Sequence, residues 1–446
     1  MSTGIDYDLM VIGAGSGGVR AARIAAGYGA RVAIVEEHRI GGTCVVRGCV
    51  PKKLLVYGAH FAEDLDDARR FGWQVAGAAF DWPTLRDNVL AEVTRISGAY
   101  RQTLETHDVD IFEGHAEITG PNSVSIDGRT LGAKFILIAT GARPQIVQIP
   151  GVEHAITSND AFHLERLPAR ILIAGGGYIA NEFAGIFNEL GSKVTLVNRS
   201  DQILRSYDAQ IRDRLMQIST GKGIQFLFNV PLHSIERRAT VLDVRLGDMR
   251  VECEALMFAL GRVPNTKQLG LESAGVEVDA YGAVRVDEYS RSTCPSIYAV
   301  GDVTNRMQLT PVAIREGQAF ADTVFGNQPS KVDYACIPSA VFSHPPLAGV
   351  GLTEAQARTQ LGSVKIYTAD FRPMKNVLAN RDERALFKLV VDATDDRIVG
   401  AHMIGPDAPE ILQMLAVAVK ARLRKSQLDE VVAIHPTMAE ELVLMK

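Results

Sequence analysis

Two cysteines of this chain have neighbours and a spacing that could support redox chemistry. Cys44 and Cys49 lie in the segment GGTCVVRGCVPKK. Residues five apart in a regular helix are separated by about 8–9 Å, whereas a disulfide needs Cα atoms within about 7 Å. Gly48 and Pro51 make a distorted helix easy here, and Lys52 favours a thiolate. A closed, slightly strained loop beside basic residues would make a good redox site.

A structural zinc site is a weaker interpretation of the same pair, because no second cysteine pair lies nearby. The other cysteines are isolated and are predicted to be packed thiols: Cys253, Cys294 and Cys336. We therefore expect no metal site.

The composition narrows the class of protein. The chain has 446 residues and a net charge of -5, so neither a nucleic acid nor an anionic membrane is expected as a partner. No apolar run approaches the length of a transmembrane helix, and the N-terminus lacks the features of a signal peptide. Five cysteines are too few and too scattered for a secreted disulfide scaffold. A cytoplasmic enzyme fits best.

The elements around the first glycine-rich segment form a complete dinucleotide-binding pattern. Residues 9–12 are predicted to form a buried parallel strand, followed by a helix and by a second strand, 31–35, that ends at Glu36. The glycines of the G-x-G-x-x-G motif between strand and helix are Gly13, Gly15 and Gly18. They let the backbone approach a pyrophosphate at the helix N-terminus. Because the acid accepts ribose hydroxyls, this site should hold a nucleotide without a 2'-phosphate.

The same pattern recurs in RILIAGGGYIANEFAGIFNELGSKVTLVNR. The three glycine places of its turn hold Gly175, Gly177 and Ala180, the last an accepted variant. Where the first unit has Glu36, the second has Asn198, followed by Arg199 and then Arg205. A carboxylate would repel a 2'-phosphate, whereas arginines bind one. The second site is therefore predicted to take NADPH.

The remaining segments indicate an α/β chain that ends in a different architecture. Buried strands ending at Thr140-Gly141 and at Asp302 look like parts of the nucleotide domains, and ARPQIVQIPG is a plausible linker. After about residue 335, short strands precede a helix predicted over 409–423. We predict two Rossmann-like dinucleotide-binding domains plus a C-terminal α+β dimerisation domain.

Five motifs, in order along the chain, identify a family. They are GAGSGG, GGTCVVRGCVPKK, GGGYIANEF, GDVTNRMQLTPVA and HPTMAEE. Over essentially its whole length the chain resembles the flavoprotein pyridine nucleotide-disulfide oxidoreductases, and among them the reductases of glutathione disulfide. The resemblance implies FAD and NADPH as cofactors, glutathione disulfide as substrate, and a homodimer whose active site is shared between subunits. It also implies an FAD-binding domain at 1–142, an NADPH-binding domain at 143–264, a central domain at 265–335 and a dimer-interface domain at 336–446.

The resemblance assigns an electron relay to the paired cysteines. Cys49 would be the thiol next to the flavin, and Cys44 the thiol that attacks the substrate disulfide. His435 and Glu440 would be the acid–base couple, reaching the cysteines of the partner subunit. This assignment is chemically reasonable, because histidine titrates near neutral pH and a carboxylate can fix its tautomer.

Further residues match family positions at the cofactors. Lys52 and Glu182 would form an ion pair beside the reactive flavin nitrogen, and Tyr178 would be the lid that nicotinamide displaces. The residues implied to contact a cofactor are Gly13, Gly15, Ser16, Gly17, Gly18, Glu36, Thr43, Lys52, Thr140, Gly141, Gly175, Gly177, Ala180, Arg199, Arg205, Arg262, Asp302 and Thr310.

Three residues are implied to contact the substrate. Arg20 and Arg23 share one face of the first helix, and Arg23 matches a contact to a glutathione carboxylate. Tyr100 matches an aromatic residue that touches the same substrate. One position departs from the pattern, because some glutathione reductases have an arginine where this chain has Gln318.

Other functions are less well supported. A dihydrolipoamide dehydrogenase would normally carry an acid where this chain has Asn198-Arg199, and mercuric or large thioredoxin reductases would need C-terminal thiols. A trypanothione reductase typically has an acid and a tryptophan in place of Arg20 and Arg23. A non-catalytic, nucleotide-sensing flavoprotein is the alternative from another class, but a sensor needs no disulfide relay.

Overall fold

The computed structural model describes residues 4–446, and its first unit is a nucleotide-binding fold around a parallel sheet. Its elements are β1 (Tyr7–Ile12), α1 (Ser16–Gly27), β2 (Val32–Glu36), α2 (Gly42–Arg47), α3 (Cys49–Ala68), α4 (Trp82–Glu105), β3 (Asp110–Glu113), β4 (Ala116–Gly120), β5 (Ser123–Ile126) and β6 (Arg129–Ile138). The strand order is β3-β2-β1-β6-β5-β4, with parallel pairing from β3 to β6. Leu9, Met10 and Val11 of β1 are fully buried, as expected for a central strand covered on both faces. The predicted strand–glycine turn–helix–strand order is confirmed.

The second unit repeats this arrangement. Its elements are β7 (Ala142–Pro144), β8 (Ile156–Thr157), α5 (Ser158–Ala161), β9 (Arg170–Ala174), α6 (Tyr178–Glu189), β10 (Lys193–Asn198), α7 (Ala209–Gly221), β11 (Gln225–Phe228), β12 (Leu232–Arg238), β13 (Val241–Leu246), β14 (Met249–Cys253), β15 (Ala255–Phe258) and β16 (Arg262–Pro264). A parallel sheet has the order β11-β10-β9-β15-β8, and β12, β13 and β14 form a separate antiparallel sheet. The predicted linker is partly a strand, because β7 pairs with β16 where the chain enters and leaves the unit.

After β16 the chain returns to the first unit through β17 (Ile297–Ala299) and α8 (Thr310–Val324). β17 pairs in parallel with β6 and so extends the first sheet. α8 packs against α1 where two glycines meet. A Cβ atom on Gly317 would lie 2.4 Å from the carbonyl oxygen of Gly17, so a side chain there would push the two helices apart.

The C-terminal unit is α+β. Its elements are β18 (Ser339–Val341), β19 (Leu347–Gly351), α9 (Glu354–Leu361), β20 (Val364–Phe371), α10 (Met374–Ala379), β21 (Ala385–Asp392), β22 (Ile398–Ile404), α11 (Ala408–Lys420), α12 (Lys425–Asp429) and α13 (Glu441–Leu444). The strands form an antiparallel sheet in the order β18-β19-β22-β21-β20. The helix predicted over 409–423 was wrong at its C-terminal end, because Arg422 has a positive φ of 59° and the Leu423 N–H bonds back to the Ala418 carbonyl.

These units confirm the predicted fold class. The ranges of the four domains stay predictions. Within residues 4–446, no helix is both long enough and apolar enough to cross a membrane.

Candidate active site

A cavity of about 1210 Å³ lies between the first unit, the second unit and the C-terminal unit. Sixteen predicted site residues line it: Gly13, Gly15, Ser16, Gly17, Glu36, Thr43, Cys44, Cys49, Lys52, Thr140, Gly141, Tyr178, Glu182, Arg262, Asp302 and Thr310. The structure therefore brings both cysteines, the predicted ion pair and the first glycine turn to one chamber.

The first glycine turn lines the cavity and needs bare backbone at two of its positions. Gly13 has φ +105°, and a Cβ atom there would lie 2.5 Å from the carbonyl oxygen of Ala139. A Cβ atom on Gly18 would lie 2.0 Å from the carbonyl oxygen of Gly13, so Gly18 permits the tight strand-to-helix packing. This bare backbone at the start of α1 fits a pyrophosphate.

Two predicted acids line the same cavity as the glycine turn. The Glu36 carboxylate accepts hydrogen bonds from the N–H groups of Ala14 at 2.8 Å and His38 at 3.0 Å, which fixes it at the end of β2. Asp302 also lines the cavity, and burial raises the pKa of its carboxyl group, with Arg262 opposing the shift. Both acids are thus held where a nucleotide with hydroxyl donors can reach them.

The two cysteines are brought together by a break between helices. α2 ends at Arg47, Gly48 adopts φ -152° and ψ -117°, and α3 begins at Cys49. The helix distortion predicted at Gly48 is confirmed. Both cysteines are free thiols in this structure.

The two thiols differ in acidity. A hydrogen bond from the neighbouring Cys44 thiol lowers the pKa of Cys49 to about 6, and Thr310 and Lys52 act in the same direction while burial opposes them. The Thr310 hydroxyl lies 3.5 Å from the Cys49 sulfur. The same pairing with Cys49, followed by burial, raises the pKa of Cys44. In the dithiol form Cys49 is therefore the thiolate, and Cys44 keeps its proton until a base removes it.

This difference gives a pH prediction. In the reduced protein the Cys49 thiolate should be present above pH about 6 and lost as the pH falls through that value. Lys52→Met should raise the midpoint by about one unit, since a nearby cation favours the charged form. Ultraviolet thiolate absorbance during a pH titration measures the midpoint. Lys53→Met is the matched control and should leave it in place; equal shifts in both variants would contradict a specific role for Lys52.

The predicted ion pair is present and buried. Lys52 Nζ donates to Glu182 Oε1 at 2.7 Å, joining α3 of the first unit to α6 of the second. Glu182 Oε1 also accepts from the backbone N–H of Phe342 at 2.9 Å, and the Lys52 ammonium lies 4.2 Å from the centre of the Phe342 ring. Since a buried charge without its partner is costly, this pair fixes the two units against each other at the cavity.

The second glycine turn lies at the start of α6. Gly175 has φ +135°, and a Cβ atom there would lie 2.1 Å from the carbonyl oxygen of Ala259. Tyr178 follows as the first helical residue and is 43% exposed. Ala180 is fully buried, which suits the place where helix and strand pack closely.

The predicted phosphate-binding arginines lie on the loop after β10. Arg199 and Arg205 are both exposed, and one guanidinium nitrogen of Arg205 lies 3.7 Å from Asp201 Oδ1. The Asn198 amide donates to the Gln202 carbonyl at 2.7 Å. Asn198, which replaces the acid of the first unit, thus orders the loop. Arg199 and Arg205 remain accessible.

The predicted substrate residues are brought together only in part. Burial raises the pKa of Tyr100, and Cys44 and then Cys49 add to the shift, so its ring lies near the thiols. Arg20 and Arg23 are half-buried on α1 but do not line the cavity of the described chain. The Gln318 amide donates to Asp322 Oδ1 at 2.7 Å.

The predicted acid–base couple lies outside this cavity. His435 Nδ1 is 3.0 Å from Glu440 Oε2, while the His435 side chain is 79% exposed. Within residues 4–446 neither residue lines the cavity that contains Cys44 and Cys49. The couple is assembled, and its exposed imidazole is not part of the cavity that holds the thiols of its own chain.

Several cavity residues were missed by the sequence analysis. Arg47, Lys53 and Phe342 line the cavity, and Phe342 contacts the Lys52–Glu182 pair. Arg47 and Lys53 lie inside the motif GGTCVVRGCVPKK, so their location near the two cysteines could have been predicted. Phe342 is about 160 positions from Glu182, and no sequence pattern connects them.

Comparisons with known proteins agree with this geometry. Residues 7–317 match the family model described as pyridine nucleotide-disulphide oxidoreductase, and residues 337–446 match the dimerisation domain of that family. The chain belongs to this family. Membership confirms the predicted family and its cofactors, so the enzyme uses FAD and NADPH, and it carries the family's dimerisation domain.

Curated relatives cover nearly the whole chain. It is 52% identical over 443 residues to a glutathione reductase of Burkholderia cepacia, covering 99% of this chain and 98% of that protein. It is 46% identical over 456 residues to a glutathione reductase of a Nostoc species, covering 99% of each. A trypanothione reductase of Trypanosoma congolense is 39% identical over 472 residues, covering 99% of this chain and 95% of that protein.

Proposed function

We propose that the protein catalyses the NADPH-dependent reduction of glutathione disulfide to two molecules of glutathione. The observation that carries the proposal is the pair of unequal thiols, Cys44 and Cys49, in a cavity shared with the Lys52–Glu182 ion pair and the first glycine turn. Higher identity to two glutathione reductases than to a trypanothione reductase supports glutathione disulfide as the substrate.

When bound, FAD and NADPH would supply the electron pair that reduces the Cys44–Cys49 disulfide to the dithiol. Glu36, Asp302 and the Gly13–Gly18 turn would hold FAD, and the Gly175 turn with Arg199 and Arg205 would hold NADPH. Lys52, fixed by Glu182, would lie beside the flavin and keep a positive charge there.

The dithiol then exchanges with the substrate in two balanced steps. Once a base has taken the Cys44 proton, the Cys44 sulfur attacks one sulfur of glutathione disulfide, whose S–S bond breaks, and the departing thiolate receives that proton. The Cys49 thiolate then attacks the Cys44 sulfur, releasing the second glutathione as a thiolate that takes a proton from water. The Cys44–Cys49 disulfide re-forms, and two electrons have passed to the substrate.

Cys44 needs a base, because pairing with Cys49 and then burial raise its pKa. We assign this role to His435 of the partner subunit, whose imidazole is oriented by Glu440 and exposed on a dimerisation domain. The dimer would therefore have two active sites, each completed by both chains. The domain ranges and individual residue roles given by the resemblance belong to the same proposal.

The most direct test is an NADPH-oxidation assay of the purified holoenzyme against a panel of disulfides. Glutathione disulfide should give the highest kcat/KM, and trypanothione disulfide and lipoamide should be poor substrates. A higher kcat/KM for either of those two would contradict the substrate assignment. Binding of NADPH without turnover of any disulfide would instead favour a nucleotide sensor.

NADPH should be strongly preferred to NADH. Arg199 and Arg205 follow Asn198, which stands where the first unit has an acid, and a charge-assisted hydrogen bond to phosphate contributes roughly 1.5–3 kcal/mol. Replacing both arginines by methionine should therefore reduce the ratio of the two kcat/KM values by about 100-fold. Arg237→Met, at an exposed arginine of β12, is the control. Equal kcat/KM for both nucleotides in the unmodified enzyme would contradict the assignment.

The arginines on α1 should favour an anionic disulfide over a cationic one. Glutathione disulfide is anionic, whereas trypanothione carries a cationic polyamine bridge, and a local positive surface steers an anion. The double variant Arg20→Glu with Arg23→Trp should raise KM for glutathione disulfide. It should also lower the ratio of kcat/KM for glutathione disulfide to kcat/KM for trypanothione disulfide. Steady-state kinetics with both substrates measure this. Unchanged kcat/KM values for both would show that these arginines do not select the substrate.

A further inference from the structure

A buried carboxylate outside the proposed catalytic residues joins two walls of the FAD cavity. Glu316 lies on α8 and is 1% exposed. It accepts a hydrogen bond from the backbone N–H of Gly301 at 2.5 Å and another from the Tyr334 hydroxyl. It also forms an ion pair of 3.1 Å with Arg306. We call Glu316, Arg306, Tyr334 and the Gly301 N–H the Glu316 cluster.

Each partner in the Glu316 cluster belongs to a segment at the cavity. Gly301 lines the cavity together with Asp302. Arg306 lies in the loop between the short 3-10 helix Gly301–Thr304 and α8, where its guanidinium also donates to the Ser290 hydroxyl at 3.0 Å. Tyr334 precedes the segment 337–340, which lines the cavity from the C-terminal unit. The Glu316 side chain thus connects the segment that contains Gly301 and Asp302 to α8 and to the start of the C-terminal unit.

The chemistry of the cluster makes this junction rigid. A buried carboxylate is tolerated only when donors replace its water, and here a guanidinium, a phenol and a backbone amide do so. Hydrogen bonds to a charged group are roughly twice as strong as neutral ones. The Arg306 guanidinium also lies 5.3 Å from the centre of the Tyr334 ring, so the two donors support each other.

We infer that Glu316 is a positioning residue for FAD. It does not line the cavity itself, so it acts through the segments that do. By fixing Gly301 against α8, it sets the position of Asp302 relative to Thr310 at the start of the same helix. Through Tyr334 it also holds the segment 337–340, which lines the cavity. Without the carboxylate charge, these walls should move apart more readily and FAD should leave faster.

The test measures FAD release from the holoenzyme. Glu316→Gln keeps the size of the side chain but loses its charge, and the rate of FAD dissociation should rise roughly 10- to 100-fold. Tyr334→Phe should give a smaller rise in the same direction. Free-flavin fluorescence after dilution gives the rate, and visible circular dichroism of the bound flavin should change in Glu316→Gln.

Asp243→Asn provides the matched control. Asp243 is 4% exposed and pairs with Arg238 and Arg250 in the antiparallel sheet of the second unit, and it does not line the cavity. This variant should lower the melting temperature while leaving FAD dissociation and the flavin spectrum as in the unmodified enzyme.

Three results would overturn the inference. The first is FAD release from folded Glu316→Gln at the unmodified rate. The second is an equally large increase in the rate of FAD release in Asp243→Asn, which would show that general destabilisation causes the release. If Glu316→Gln fails to fold, the rate of FAD dissociation from Tyr334→Phe serves as the test. An unchanged rate in that variant is the third result that would overturn the inference. Because no disulfide substrate is present, the result is independent of the proposed activity.

Discussion

Replacing Cys44 or Cys49 by serine is expected to abolish disulfide reduction while FAD remains bound. A serine hydroxyl can neither form a disulfide nor exchange with one under these conditions, so either change removes the relay. NADPH-dependent turnover of glutathione disulfide should fall by at least about 1000-fold, a loss of about 4 kcal/mol in transition-state stabilisation. Both thiols line the cavity and are not part of a hydrophobic core, so both variants should fold and keep the yellow colour of bound FAD.

Two measurements separate loss of the relay from loss of the cofactor sites. In both variants NADPH should still bleach the flavin in a single turnover, because that electron transfer precedes the cysteines. Cys294→Ser is the control, since it makes the same chemical change at a buried thiol 3.4 Å from the Ser296 hydroxyl and outside the cavity. Turnover close to that of the unmodified enzyme in either cavity variant would rule out the Cys44–Cys49 relay.

Sequence patterns located the parts of the site that local backbone chemistry determines. The two glycine turns were predicted because a sharp turn between strand and helix requires bare backbone at Gly13 and Gly175. The break at Gly48 was predicted because two cysteines five apart cannot meet on a regular helix. In each case the residues that cause the geometry are close together in the chain, so a short segment contains the whole argument.

Contacts between segments that are distant in the sequence could be identified only from the structure. The Lys52–Glu182 pair joins residues 130 apart, and only the resemblance had connected them. Glu316 meets Gly301, Arg306 and Tyr334 because α8 packs where three segments converge, and no periodicity marks that position. The end of α11 was missed for a similar reason: a left-handed Arg422 stops the helix, although arginine itself gives no such signal.

The acidity of the two thiols is also a property of the assembled site. Residue types alone do not distinguish Cys44 from Cys49 near Lys52, and only the resemblance gave them different roles. In the structure, Thr310 from α8 approaches the Cys49 sulfur, and the hydrogen bond between the thiols places the charge on Cys49. The need of Cys44 for a base therefore follows from tertiary contacts. It leads to a second prediction with a large expected effect, on mixed dimers.

Heterodimers of two inactive chains should regain activity. Cys44→Ser removes the attacking thiol, and His435→Ala removes the proposed base, which should cost roughly 100- to 10,000-fold. In a mixed dimer of these chains, one site would combine the intact Cys44 of one chain with the intact His435 of the other. Random exchange of equal amounts makes about half of the dimers mixed, each with one working site of two, so about a quarter of full activity should return. Steady-state assays before and after verified chain exchange measure the recovery.

The control for this experiment is a mixture of His435→Ala with Glu440→Ala. Both residues of the couple come from one chain, 3.0 Å apart, so no site in that mixed dimer contains an intact couple and activity should stay at the average of the two parents. A site built within one chain predicts the opposite for the first mixture: the chain with Cys44 lacks its own His435, so nothing is restored. Recovery confined to the first mixture therefore requires His435 to act across the dimer, as its 79% exposure and its separation from the cavity of its own chain lead us to expect. Absence of recovery in verified mixed dimers would exclude the shared site and leave the deprotonation of Cys44 to a group within the same chain.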